Sequence, residues 1–387
     1  MKAFLTLLAL ASLLALASAP RAAAQCTPGP HTGTITADQT WCAADSPHAF
    51  SGDVTVAAGA TLTVEAGSVV NPRGFTIQGR LVAIGTEPSP ITFTAGSWSG
   101  LTFAGGTGLL AYANVANAST GITATNVPAP GLVFDHSTLG PGNGHLTVTG
   151  SVVSASGSTF ETNASGVHAI SVTGASSTLS LSGNTFTGTG SSARLVFLAP
   201  DAMTGADFTL PSQAGLDAYH LGGGPDYIIP AGRTVTVGAG ATVHSALVVK
   251  GRLVATGTAA LPATFTAHWQ WHGITFDGGT GRLEYAQILT NGMVATNVPA
   301  PGLVFDHSTI RPDHGGFAMT DSTVTATAST FETNGAGVYP IRVSGAASTL
   351  SLSEDSFTGS GSWAKWVFLA PGAMTSADFT LTPQTGL

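Results

Sequence analysis

Between Phe160 and Phe186 the chain reads FETNASGVHAISVTGASSTLSLSGNTF, and the fold is decided here. Short runs alternate apolar with small polar residues, as in Leu179-Ser180-Leu181, and Gly, Asn or Ser closes each run. A period of two is the mark of a half-buried strand. The apolar position held by Phe160 and Phe186 can be followed in both directions. It gives Val69, Phe93, Val115, Leu139, Phe160, Phe186 and Phe208, then Val243, Phe265, Ile288, Ile310, Phe331, Phe357 and Phe379. Within each series the shortest step is 21, from Leu139 to Phe160 and from Ile310 to Phe331, and the longest 26, from Phe160 to Phe186 and from Phe331 to Phe357. No helix-length amphipathic segment interrupts them after the first residues. A strand repeat of this length fits one coil of an all-β, right-handed parallel β-helix (a β-solenoid), with three strands and three turns per coil. The hand follows from the right-handedness of parallel crossovers. A β-sandwich would need Asn-Gly-type hairpins, and Asn291-Gly292 and Asn334-Gly335 fall between coils instead. Asn163, Asn184 and Asn334 sit at turn-like positions and are candidates for stacked amide ladders.

A second, longer period lies over the first. NVPAPGLVFDHST occurs at Asn126–Thr138 and again at Asn297–Thr309, so Asn126 and Asn297 set an offset of 171. Phe160-Glu161-Thr162-Asn163 recurs from Phe331, Val196-Phe197-Leu198 from Val367, and Ala206-Asp207-Phe208 from Ala377, all at the same offset. The solenoid is therefore internally duplicated. Residues 53–216 form a first block and residues 217–387 a second, continuous with it.

The segment 1–24 reads as a secretion signal: Lys2, an apolar run from Ala3 to Ala17, and a small-residue cut site at Ala22-Ala23-Ala24. The run is too short for a good membrane span. Residues 25–52 are expected to cap the solenoid, with Cys26 and Cys42 closing a disulfide in an oxidising compartment. Charged residues make up 8% of the chain and the formal net charge is −8. That acidity argues against nucleic acid or an anionic membrane as partner. So few acids, bases and cations also weigh against an enzyme.

The openings VTVAAGATLTVEAGSVV (Val54–Val70) and GRLVAIGTEPSPITFTAGSWSGLTF (Gly79–Phe103) resemble the first coils of exported bacterial right-handed β-helix proteins with the pectin-lyase-like fold. The Trp-x-Gly-Leu/Ile-x-Phe element at Trp98–Phe103 and Trp271–Phe276 belongs to that resemblance, as does Ser-Thr-Phe-x-x-Asn at Ser158–Asn163 and Ser329–Asn334. It covers nearly the whole chain after the leader. It implies fold and export, and leaves open lyase, hydrolase, adhesin or plain scaffold. In the lyases of that class, clustered acids hold calcium beside a basic residue.

Against that pattern, Asp135-His136 and Asp306-His307 are the best acid/base pairs, but neighbours on a strand point to opposite faces, which favours a corner role. Glu161, Glu332, Asp207 and Asp378 are expected to point outward without a recurring base. His268 and His272 do not have a ligand spacing for a strand or turn. No residue is assigned a catalytic or metal-binding role, and no cofactor is expected. Aromatics carry more information. Trp269, Trp271, Trp363 and Trp366 lie in the second block, where Ser192 and Leu195 of the first block align with Trp363 and Trp366. Trp271 and Trp363 each follow a coil anchor by six positions. If the coil phase holds, they form an outward row about 19 Å long, suited to stacking on sugar rings.

The expectation is a secreted or cell-surface scaffold, non-catalytic, structural or adhesive, with polysaccharide or a cell-surface glycan as its partner. The alternative is a polysaccharide lyase or glycoside hydrolase of the pectin-lyase-like class. An ice- or mineral-binding surface is a third reading; it requires outward threonines in regular ranks, which uneven coil lengths disfavour. Leu387 aligns with Leu216, where a new coil would begin. That places an open coil at the C-terminus, the mark of a truncated product or of end-to-end self-association.

Overall fold

A computed structural model describes residues 25–140, 145–223, 226–266, 273–311, 315–376, 380–382 and 384–387. The chain winds into a right-handed parallel β-helix of about 14 turns. The described residues contain one 3-10 turn, Ala43–Asp45, and no helix long and apolar enough to cross a membrane.

In the first block each coil visits three sheets in order. Sheet N1 is seven-stranded and runs from Gln39–Trp41 to Thr178–Ser182. N2 runs from Val69–Asn71 to Thr185–Thr187, and N3 from His31–Ile35 through His48–Val56 and Gly74–Ile77 to Leu195–Leu198. Pairing is parallel throughout, so each coil saturates the backbone of the next. The anchor residues stack directly: Phe93 on Val115, Val115 on Leu139, Leu139 on Phe160, and Phe160 on Phe186. The second series does the same from Val243 through Phe265, Ile288, Ile310 and Phe331 to Phe357. Phe160 and Phe186 stack with centroids 5.2 Å apart, and Phe331 and Phe357 at 5.4 Å. At the N-terminal end of the first series the anchor is Val70, which pairs with Phe93 and is fully buried; Val69 faces outward. Two adjacent valines let the alternation slip by one.

Corners carry a second ladder, made of buried polar side chains. The backbone N–H of Ala113 donates to Ser137 Oγ, that of Ser137 to Ser158 Oγ, that of Ser158 to Asn184 Oδ1, and that of Asn184 to Gln213 Oε1. In the second block the rungs are Ser308, Ser329, Asp355 and Gln384. Asn184 thus joins a mixed hydroxyl–amide ladder, whereas Asn163 and Asn334 are exposed and bond to Glu161 and Glu332. Glycine is required where coils touch: a Cβ on Gly100 (φ +115°) would lie 1.9 Å from the Gly121 carbonyl oxygen.

The duplication is not carried straight up the axis. Sheet C1 starts at Phe208–Leu210, at the end of the first block, and runs to Thr380–Leu381; in the second block C2 runs from Thr242–His244 to Ser356–Thr358 and C3 from Tyr227–Ile229 to Val367–Leu369. By sequence, C2 repeats N2 and C3 repeats N3. Yet the last N3 strand pairs with Ala218–Leu221, and that strand pairs with the first strand of C2. N2 ends at a single bridge, Thr185 to Ala214, and C3 starts afresh. Two of the three faces therefore change partners at the seam: C2 continues N3, and C3 has no strand below it in the first block. Phe208 belongs to C1, paired with Val235, and does not extend the anchor row of Phe186. The added strand Tyr227–Ile229 begins C3, and Tyr219 and Tyr227 are buried at the seam, their hydroxyls donating to the Pro211 and Ala202 carbonyls. N1 and C1 do not pair across the seam, leaving a cleft of about 430 Å³ beside Leu179, Leu181, Met203 and Phe208.

The first coil is closed by Trp41, His31, His48 and Phe50. The Cys26–Cys42 disulfide, with Cα atoms 5.5 Å apart, ties the chain to this coil. His31 stacks on Trp41 at 4.0 Å. His48 Nε2 donates to the Cys42 carbonyl at 2.9 Å, so its Nδ1 accepts from His31 Nε2 at 3.1 Å. Burial, then the neighbouring His48, brings the His31 pKa down from 6.5 to about 4. The unfolded chain binds this proton more tightly, so the cap's stability is complete above pH 6.5 and is lost as pH falls toward 4. Hydrogen exchange should show faster opening of residues 31–50 at pH 5 than at pH 7, with the central coils unchanged.

Asp355 predicts the opposite slope. Burial lifts its carboxyl from 3.8 to about 6, against the N–H donors of Ser329 and Ser353. The folded state holds the proton more tightly, so stability falls as pH rises from 3.8 to about 6. Asp355→Asn, the residue of the first-block rung, should abolish that slope and raise neutral-pH stability by about 1 kcal/mol, measured by denaturant unfolding at pH 5 and 7.

Candidate aromatic surface and ionisable clusters

Ile341–Ser344 and Val367–Leu369 are neighbouring strands of C3. Alternation buries Ile341 and Val343 and sends Arg342 outward. The register places Phe368 beside it, with the guanidinium carbon 5.3 Å from the ring centroid. At the preceding corner Tyr339 stacks on Trp363 at 4.6 Å and 14°, and lies 4.9 Å from Phe368. Trp363 is 41% exposed and Trp366 64%. Next to this stack runs a groove of about 360 Å³, floored by Val294 and Ala318 and walled by Val338, Tyr339 and Arg342. Arg342 is the one charged side chain among the described residues that line it.

The first block holds a reduced version. His168 stacks on Phe197 at 5.0 Å, with His220 5.6 Å from the same ring. Ser171, Ser192 and Leu195 stand where the second block has Arg342, Trp363 and Trp366. Trp269, Trp271, His268 and His272 lie outside the described residues.

The Asp-His pairs do meet. His136 Nδ1 lies 2.8 Å from Asp135 Oδ1, and His307 Nδ1 lies 2.7 Å from Asp306 Oδ1. Strand alternation fails because each histidine has left the strand: φ is +46° at His136 and +50° at His307. The turn brings both side chains to the same exposed corner, where Tyr112 stacks on His136 and Tyr285 on His307. In the second block Arg282 adds contacts to Glu284 at 3.5 Å and Asp306 at 3.7 Å. The first block has Leu109 and Ala111 at the positions of Arg282 and Glu284. Glu161 faces outward and takes an Asn163 hydrogen bond, and Asp207 accepts from the Thr234 N–H. Asp378 lies outside the described residues. Cys26, Cys42 and Asp45 form the one close group of metal-ligand type among the described residues, and both of its sulfurs are committed to the disulfide.

Tyr339, Phe368, Arg342, Arg282 and Glu284 were not singled out from the sequence. Aligning the two blocks exposes three of them, because Arg342, Arg282 and Glu284 stand opposite Ser171, Leu109 and Ala111. Comparison with known proteins finds no matching family model, no matching curated protein and no matching solved structure.

Tyr339 shields one face of Trp363. Tyr339→Ala should raise collisional quenching of the tryptophan fluorescence, an increase lost in the Trp363→Ala background. Unfolding free energy should change by about 0.5 kcal/mol or less beyond the lost stacking term.

Proposed function

We propose that this chain is an exported, non-catalytic surface scaffold that holds polysaccharide on its second block. The observation that carries the reading is the exposed Trp363 stacked on half-buried Tyr339, with Phe368 against it, beside a shallow groove. Pyranose rings present C–H faces that pack on aromatic rings, and their hydroxyls remain free to bond to Arg342 and to groove backbone. Rings already stacked on one another are held in place before a ligand arrives, which lowers the entropy lost on binding. The leader-like segment 1–24 and the Cys26–Cys42 disulfide support secretion, with the protein free or at the cell surface. The resemblance to pectin-lyase-like β-helix proteins supports the same setting. The net charge of −8 supports a partner other than nucleic acid.

A second reading rests on Arg282, Glu284, Asp306 and His307. Carboxylates in register on adjacent coils, with a cation and an imidazole in contact, are the groups a polysaccharide lyase or hydrolase uses. All four side chains are partly exposed to solvent at a corner, so the scaffold reading leads.

A glycan array with the mature chain, read for retention and for product release, separates the two. Retention without release is expected, and Trp363→Ala and Tyr339→Ala should each weaken it about tenfold, a change of ~1.4 kcal/mol. Unsaturated or reducing-end products, abolished by Glu284→Gln, would establish the enzyme instead. Retention indifferent to both aromatic variants would remove the proposed site.

A further inference from the structure

Sheet N3 carries a rank of hydroxyls that the glycan site does not use. Register pairs Thr34 with Thr55, Thr55 with Thr76, Thr76 with Thr102, Thr102 with Thr123, Thr123 with Thr147, and Thr147 with Ser171. One outward position thus holds a hydroxyl on seven successive strands, and no register shift interrupts the run from Thr34 onward. A second rank, Thr125, Thr149 and Thr173, runs beside it two positions along each strand. On the other flank the column reads Asp53, Gly74, Gly100, Gly121 and His145, so three glycines leave the middle of the rank open while ionisable side chains stand only at its ends. Uneven coil lengths do not disturb this array, because the insertions fall in corners while strand spacing is fixed by backbone hydrogen bonds.

The net has a repeat of about 4.8 Å along the axis and about 6.6 Å along the strand. Neither rank contains a charge. Thr149 and Thr173 hydroxyls bond each other at 2.9 Å, but among the described residues the hydroxyls of Thr55, Thr76, Thr102, Thr123 and Thr147 make no bond to protein. Each threonine therefore offers water one hydroxyl and one methyl at fixed, repeated points. The fold does not impose this pattern: the equivalent C3 column reads Val248, Thr275, Val294, Ala318 and Arg342.

We infer that the N3 face is an ice-binding surface. Its spacings lie near the oxygen repeats on the basal and prism faces of ice. A rigid uncharged net can order its own hydration water into that lattice, whereas a charge would impose a competing shell. Single hydroxyl–water contacts are weak, so adhesion depends on many being met at once, and about 29 Å of unbroken rank supplies them. A dissolved glycan is the poorer partner, since this face has neither aromatic platform nor bidentate donor.

The test is partition of the mature chain into a slowly growing ice hemisphere, with recrystallisation of fine-grained ice followed in parallel. Wild type should enter the ice and arrest grain growth at micromolar concentration. Thr102→Lys with Thr123→Lys should lower both effects at least tenfold. Thr102→Val with Thr123→Val keeps shape and strand propensity while removing the hydroxyls, and should lower them by less. Thr275→Lys on C3 should change nothing. Melting curves identify any variant that fails to fold, and the valine pair then decides. Exclusion of folded wild type from ice overturns the inference, as does ice entry indifferent to the lysine pair. Retention on a crystalline polysaccharide with the same threonine dependence, and none on ice, also overturns it.

Discussion

On either side of the seam the molecule depends on one constraint: each strand is hydrogen-bonded in parallel to the strands of the coils next to it. Once that register is set, side chains from distant points in the sequence are forced into contact. Phe160 meets Phe186 because the backbone between them closes one turn. The core is accordingly a set of columns, and its lining is chosen for stacking with the same position in the next coil. Corner polarity follows the same logic. The Ser137–Ser158–Asn184–Gln213 ladder satisfies buried N–H groups that the sheets cannot reach, so the turns bury polar atoms with little loss.

The surface is written in the same columns. An outward residue has no partner in its own strand, and its neighbours are the residues one coil away. A column of threonines becomes a flat net on N3, and a column that has drifted to Val294, Ala318, Arg342 and Phe368 becomes an apolar groove with an aromatic end. The two blocks share a skeleton yet have separate surfaces, because outward positions of a solenoid can change without disturbing the core.

Much of the fold was legible in the chain because apolar alternation and a repeat of one coil length both follow directly from stacking. What was not legible had physical causes. Val69 and Val70 are equally apolar, so only pairing could choose between them. Phe208 looks like an anchor, but the long turn after Leu198 uses up the coil's remaining length, so Phe208 falls on the first strand of the next coil. His136 and His307 break alternation through positive φ, which a strand rule does not foresee. Trp363 was visible as a block-specific aromatic. Its partners Tyr339 and Phe368 were not, since their meeting depends on a coil closing between residues 339 and 368.

The step at the seam has a consequence for valency. The corner of Tyr112, Asp135 and His136 lies between N1 and N2, while its copy, Tyr285, Asp306 and His307, lies between C1 and the sheet that continues N3. Repeated sites strengthen attachment only when both can reach the same target. The duplicated corner does not run as one strip along the rod, as it would in an unbroken stack of the same coils.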